Sequence, residues 1–213
     1  MYLITNRHLC KYDRYIEVIK EASYFGVKNI ILREKDLSND ELEDLYFRIK
    51  KNINKETKLI INSNIEVFKR VDADGIHLPF DKFIDIYDEK NKENTSEYID
   101  IKNFNKLLGV STHSIKDIVE VLKRNADYIF LSHIYETKCK ENLKPKGIEI
   151  LKEANSLFTN SNINLIALGG ITPSNVKYIV DYCDDIAVMS TIMSSKNIEK
   201  TISEYRLKVS VLK

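Results

Sequence analysis

The 213-residue sequence predicts an α/β fold, a single (β/α)8 barrel, and three observations predict it. Short β-rich runs alternate with amphipathic stretches eight times along the chain. Each unit takes roughly 27 residues, near the lower size limit of such barrels. Several runs, Leu165–Ile166–Ala167–Leu168 among them, are apolar throughout, as strands covered on both faces are. Strand–helix alternation implies right-handed crossovers and a parallel sheet. An open doubly wound sheet is the alternative, but it seldom uses eight units this regular.

The expected strands are Tyr2–Thr5, Asn29–Arg33, Lys58–Asn62, Gly75–Leu78, Leu107–Ser111, Tyr128–Ser132, Asn164–Leu168 and Asp185–Met189. Between them, Asp13–Phe25, Ser38–Lys51, Ser114–Lys123, Gly147–Phe158 and Pro173–Tyr182 carry apolar residues at spacings of three and four, the helical period. Ser38 and Ser114 suit N-caps, and Pro173 suits a first helical position. One segment breaks the rhythm: Asp85–Asn103, reading DIYDEKNKENTSEYIDIKN, is polar and aperiodic. It reads as a surface excursion within one domain spanning residues 1–213, because the alternation resumes beyond it.

Composition narrows the function classes. An apolar share of 43% with 31% charged residues is globular and excludes global disorder. With 33 basic against 32 acidic side chains the net charge is +1, which argues against a protein that coats nucleic acid. No stretch approaches the roughly 20 apolar residues of a membrane helix, and MYLITNRHLCKYDRY lacks the apolar core of a signal peptide. Cys10, Cys139 and Cys183 are odd in number, widely spaced and without a CxxC, so neither disulfides nor a thiolate metal site is expected. The expectation is a cytoplasmic domain with a small-molecule ligand and no nucleic-acid or membrane partner, with a homo-oligomer left open.

Barrel active sites form at the C-terminal strand ends and the loops beyond. After strand two, Arg33-Glu34-Lys35 sets two cations beside a carboxylate, either a solvated charge cluster or a grip for a carboxylate or phosphate. After strand three, Asn62-Ser63-Asn64 is polar without a metal-binding pattern. After strand four, Leu78-Pro79-Phe80-Asp81 offers one acid, short of the set magnesium wants. His77 reads as a hydrogen-bonded barrel residue, and His8 has no evident partner. After strand five, His113 either binds a substrate anion or caps and packs.

The densest loop follows strand six, Ser132-His133-Ile134-Tyr135-Glu136-Thr137-Lys138-Cys139-Lys140. His133 there is either structural or a general base and acid near neutral pH. Cys139 has no neighbour in sequence to activate it. Gly169-Gly170 after strand seven and Met189-Ser190 after strand eight occupy the recurrent phosphate site of such barrels. Adjacent glycines let an anion approach the backbone closely.

The segments YLIT, LREK, GIHL, VSTHS, ADYI, LGGITPSN and IAVMS run from the first strand to the last, and as a set the chain resembles the thiamine phosphate synthase superfamily. The resemblance implies a (β/α)8 barrel that binds a thiazole phosphate. Of its two branches, the synthase joins a pyrimidine pyrophosphate to the thiazole using magnesium. Its pattern has glutamine where this chain has Ile31 and aspartate where this chain has Ser63. It has a second acidic position after strand four, where Asp81 is here followed by Lys82. Its loop six opens glycine-proline where this chain reads Ser132-His133. The thiazole tautomerase (TenI-like) branch looks more like this loop: a histidine, an aromatic, then ETxCK and an arginine-glycine pair, here HIYETKCK and Lys146-Gly147.

Taken at that motif, the resemblance implies an isomerase of thiamine biosynthesis that aromatises a dihydro-carboxythiazole phosphate by a proton shift, with no cofactor and no metal. His133 is then base and acid. Backbone amides of Gly170 and Ser190 hold the phosphate, with Gly169 and Met189 shaping the turns. Arg33, Lys35 and Lys140 are cationic partners, and Asn62, Ser111, His113 and Thr137 are polar walls. The alternatives are a magnesium-dependent thiamine phosphate synthase and a non-catalytic regulatory barrel that keeps the phosphate pocket.

Overall fold

The computed structural model describes residues 1–87, 106–124, 126–138, 143–159 and 161–210. Eight strands close a parallel barrel in sequence order: β1 (Tyr2–Ile4), β2 (Asn29–Leu32), β3 (Lys58–Asn62), β4 (Gly75–Pro79), β5 (Leu107–Thr112), β6 (Tyr128–Ser132), β7 (Asn164–Leu168) and β8 (Asp185–Val188). Around it lie α1 (Tyr15–Tyr24), α2 (Asn39–Asn52), α3 (Ile65–Arg70), α4 (Phe80–Tyr87), α5 (Ile115–Leu122), α6 (Gly147–Leu157), α7 (Ser190–Met193) and α8 (Ile198–Ser210). Among the described residues, no helix is long and apolar enough to cross a membrane.

Strand periodicity sorts each run into two cores. Tyr2, Ile4, Ile31, Ile60, Tyr128, Phe130, Ile166 and Ala187 fill the barrel interior. Their neighbours Leu3, Ile30, Leu59, Ile61, Ile129 and Leu165 face outward and pack under the helices. Both faces are buried, which is why these runs are apolar without alternation. Ser38 caps α2 in a reciprocal capping box with Glu41, and Ser114 accepts the Asp117 N–H at the start of α5.

Three of the four even-numbered strands carry a repeated clasp. Asp74, Asp127 and Asp184 each stand just before β4, β6 and β8. Each accepts, through Oδ2, the N–H of Leu59, Leu108 or Leu165 on the preceding strand, at 2.7–2.8 Å. These aspartates tie the N-terminal ends of neighbouring strands together.

Two expectations need correction. The segment Pro173–Tyr182 is not one helix but two 3-10 turns, Val176–Tyr178 and Val180–Tyr182. Asn175 clamps the preceding turn, accepting from the Thr172 N–H (2.8 Å) and donating to the Gly170 carbonyl (2.9 Å). That local bonding, with β-branched Val176, Ile179 and Val180 crowding the backbone, competes with a regular helix. Of the excursion expected from Asp85, Asp85–Tyr87 instead complete the last turn of α4. Residues 88–103 of that segment lie outside the described residues.

Candidate functional site at the barrel mouth

The C-terminal end of the barrel opens into a cavity of about 800 Å³. Its floor is built by inward-facing strand residues Ile31, His77, Phe130 and Ala187. Arg33, Asn62, Ser111, His113, His133 and Thr137 stand on its walls, and Gly169, Gly170, Met189 and Ser190 close one side. A second cavity of about 520 Å³, the side lobe, has Asn62 in common with it as a wall. Lys35 and Lys82 belong to this lobe and not to the central one. Lys140 and Cys139 lie outside the described residues.

The Arg33-Glu34-Lys35 triplet resolves into three roles. Glu34 is 6% exposed and serves the fold. It accepts from the Thr5 hydroxyl (2.8 Å), the Tyr15 hydroxyl (2.7 Å) and the Arg7 N–H (3.1 Å), binding the loops after β1 and β2 to α1. Arg7 also forks onto Asp36 at 2.6 and 2.7 Å, and His8 meets that carboxylate at 3.1 Å, a partner that its sequence neighbours did not suggest. With Glu34 fixed, Arg33 faces the central cavity and Lys35 the side lobe.

His77 anchors a polar chain through the barrel interior. Its Nδ1 lies 3.2 Å from the Tyr128 hydroxyl and its Nε2 lies 2.7 Å from Ser111 Oγ. The Tyr128 ring fits there because Gly109 faces it; a Cβ at that position would run into the ring. Burial pushes the His77 imidazole down from 6.5 to about 3, so the ring is neutral. Among the described residues, His77 is the one hydrogen-bond partner of the buried Tyr128 hydroxyl. A buried phenol proton needs an acceptor, so Tyr128 donates to Nδ1 and Nε2–H donates to Ser111. The Ser111 hydroxyl hydrogen is left for an acceptor in the cavity.

His133 is buried, and its Nε2 donates to the Leu143 carbonyl at 3.1 Å. A carbonyl only accepts, so Nδ1 is the atom left to accept from a ligand. His113 Nδ1 is similarly held by the Ser132 carbonyl (3.0 Å) and hydroxyl (3.1 Å).

Gly169 and Gly170 adopt φ values of 103° and 66°. A Cβ on Gly169 would strike His133, and one on Gly170 would strike the carbonyls of Tyr135 and Glu136. The glycine pair is therefore needed for loop six to pack against loop seven as well as for any anion. Lys82 lines the side lobe and Lys138 the central cavity, and the sequence alone assigns neither a substrate-binding role.

The synthase pattern implies magnesium, and the donors here do not fit it. Among the described residues, no three His, Cys, Asp or Glu side chains gather in a way that could hold a metal ion. Ser63 stands where the synthase pattern has an aspartate, and after β4 the single acid Asp81 is followed by the Lys82 ammonium.

The chain matches the family described as thiamine monophosphate synthase over residues 1–192. It is 31% identical over 207 residues to the thiamine-phosphate synthase of Clostridium tetani, covering 96% of this chain and 92% of that one. It is 31% identical over 210 residues to the thiamine-phosphate synthase of Methanobrevibacter smithii, covering 98% and 93%. The solved thiamine phosphate pyrophosphorylase from Pyrococcus furiosus shares the fold at a TM-score of 0.79 and 23% identity, covering 99% of this chain and 95% of that one. These relatives overturn the tautomerase expectation: similarity along nearly the whole chain leads to proteins named as synthases, whereas that expectation rested on loop six and on the departures at Ile31, Ser63 and Lys82. The barrel, its glycine-lined mouth and the match across residues 1–192 place the chain in the thiamine monophosphate synthase family.

Proposed function

We propose that the protein is a transferase that joins a pyrimidine pyrophosphate to a thiazole phosphate, giving thiamine phosphate and diphosphate. The observation that carries this reading is the pair of cavities that have Asn62 as a common wall. One lobe is bordered by the glycine loops after β7 and β8, the other by lysines, and Asn62 lies between them. A condensation of two phosphorylated substrates needs anion-holding ground on both sides of the reacting atoms. A proton shift on one substrate needs only one such side. The near full-length similarity to proteins named thiamine-phosphate synthase supports the same reading.

In this reading the thiazole phosphate sits against the loops of Gly169-Gly170 and Met189-Ser190. Its ring nitrogen attacks the methylene carbon of the pyrimidine. The carbon–oxygen bond to diphosphate breaks with its electron pair on oxygen, and no proton changes place at the reacting carbon. Arg33 and Lys35 stabilise the charge that grows on the leaving group. Ser111 donates to an acceptor on the pyrimidine, oriented by His77. His133, His113, Thr137 and Asn62 position the two rings. His133 is thus an orienting group, with Nδ1 as acceptor.

The experiment is incubation of the protein with both substrates and detection of thiamine phosphate by mass spectrometry. Product that requires both substrates supports the reading. Failure to condense them, with both recovered intact, refutes it.

A further inference from the structure

The side lobe has an unusual charge balance. Two carboxylates and two ammonium groups line it, yet both carboxylates are already engaged. Glu34 is held by Thr5, Tyr15 and Arg7. Glu66 accepts from Asn39 Nδ2 at 2.7 Å and pairs with Arg70. Neither Lys35 nor Lys82 has a carboxylate partner among the described residues.

Lys82 reaches the lobe from α4 and its Nζ lies 3.4 Å from the Ser63 carbonyl oxygen. Ser63 is fixed there with a left-handed φ of 62°, its N–H on the His77 carbonyl (2.9 Å) and its hydroxyl accepting from Asn62 (3.0 Å). An ammonium has three donors. One is directed at Ser63, and the others remain for a ligand beside Asn62, which lines both cavities. A dication in this lobe would face that ammonium with no free carboxylate to hold it. A polyanion would meet the charge it needs.

We propose that the side lobe takes the diphosphate of the substrate directly on ammonium groups, with Lys82 supplying the charge that a carboxylate-held dication supplies in the synthase pattern. The identity of the anion rests on the transferase reading above. As the methylene carbon–oxygen bond breaks, the electron pair stays on the diphosphate oxygen beside Lys82 and Lys35. The thiazole nitrogen's lone pair forms the new carbon–nitrogen bond.

The test is calorimetric binding of inorganic diphosphate to the full-length protein, in excess EDTA and again in millimolar magnesium. Wild type should bind diphosphate in EDTA, and magnesium should not tighten it. Lys82→Ala should weaken binding about tenfold or more, the loss of a charge-assisted hydrogen bond. Lys82→Arg should stay within about threefold of wild type. Circular dichroism of each variant should match wild type, since Lys82 is exposed on α4; Lys82→Gln stands in should the alanine variant misfold. Binding that appears only with magnesium, or charge-removing variants that bind as wild type does, would overturn the proposal. The two readings fail separately. Lys82-dependent diphosphate binding without thiamine phosphate formation refutes the transferase and leaves this site. Condensation with magnesium-dependent diphosphate binding does the reverse.

Discussion

Replacing His77 by Gln should flatten the acid side of the protein's stability profile. His77 is 3% exposed, and burial lowers its imidazole from 6.5 to about 3. In the unfolded chain the same ring titrates near the ordinary value, so between those limits the unfolded state binds a proton that the folded state refuses. The folded value is depressed, so this contribution is fully present above pH 6.5 and is lost as pH falls toward 3. Its slope is about 1.4 kcal/mol per pH unit. From pH 7 to pH 5 wild type should therefore lose about 2 kcal/mol through this group alone. Glutamine has no such proton to take, and the other titrating groups are common to both proteins. At pH 7 the variant should be less stable by about 1–3 kcal/mol, because either Tyr128 or Ser111 loses its partner. Urea unfolding at pH 7, 6 and 5 reads both effects: the gap between the proteins should narrow by about 2 kcal/mol. A gap that stays constant across that range would show that His77 takes up its proton inside the fold, and the buried neutral chain would be wrong.

Three further substitutions probe the frame of the site. Tyr128→Phe should cost about 1–3 kcal/mol, measured by chemical denaturation, since it strands His77 Nδ1 as a buried acceptor; an unchanged midpoint would show that the Tyr128–His77 hydrogen bond adds nothing to stability. Glu34→Gln puts an amide donor among three donors and should cost about 2–4 kcal/mol, with a neutral result meaning that Arg7 and the hydroxyls find other partners. Gly169→Ala meets both a φ of 103° and the His133 side chain, so it should lower the melting temperature and weaken thiazole phosphate binding together. An alanine variant as stable as wild type would mean that loop six moves aside freely.

What the sequence reveals and what it hides divide along a physical line. Strands buried on both faces leave apolar runs, and caps such as Ser38 and Ser114 act within four residues, so both are readable locally. The strand-end rule likewise brings Arg33, Asn62, Ser111, His113, His133 and the glycine pair to one cavity. Contacts across the barrel leave no local trace. Tyr128 and His77 meet over 51 residues of separation, and Lys82 finds Ser63 over 19. The clasps of Asp74, Asp127 and Asp184 form a repeat in space that the sequence shows only as scattered aspartates. Choosing the branch failed for a related reason. HIYETKCK and the departures at Ile31, Ser63 and Lys82 are a few local positions, and they carry less information than similarity across nearly the whole chain.

The central claim is that diphosphate leaves as the two rings are joined, and ³¹P NMR of one reaction mixture measures it most directly. With both substrates present, the account predicts diphosphate and thiamine phosphate signals that rise together in equal amounts, while the thiazole phosphate signal falls by the same amount. A thiazole phosphate signal that changes while the pyrimidine pyrophosphate stays whole would contradict it.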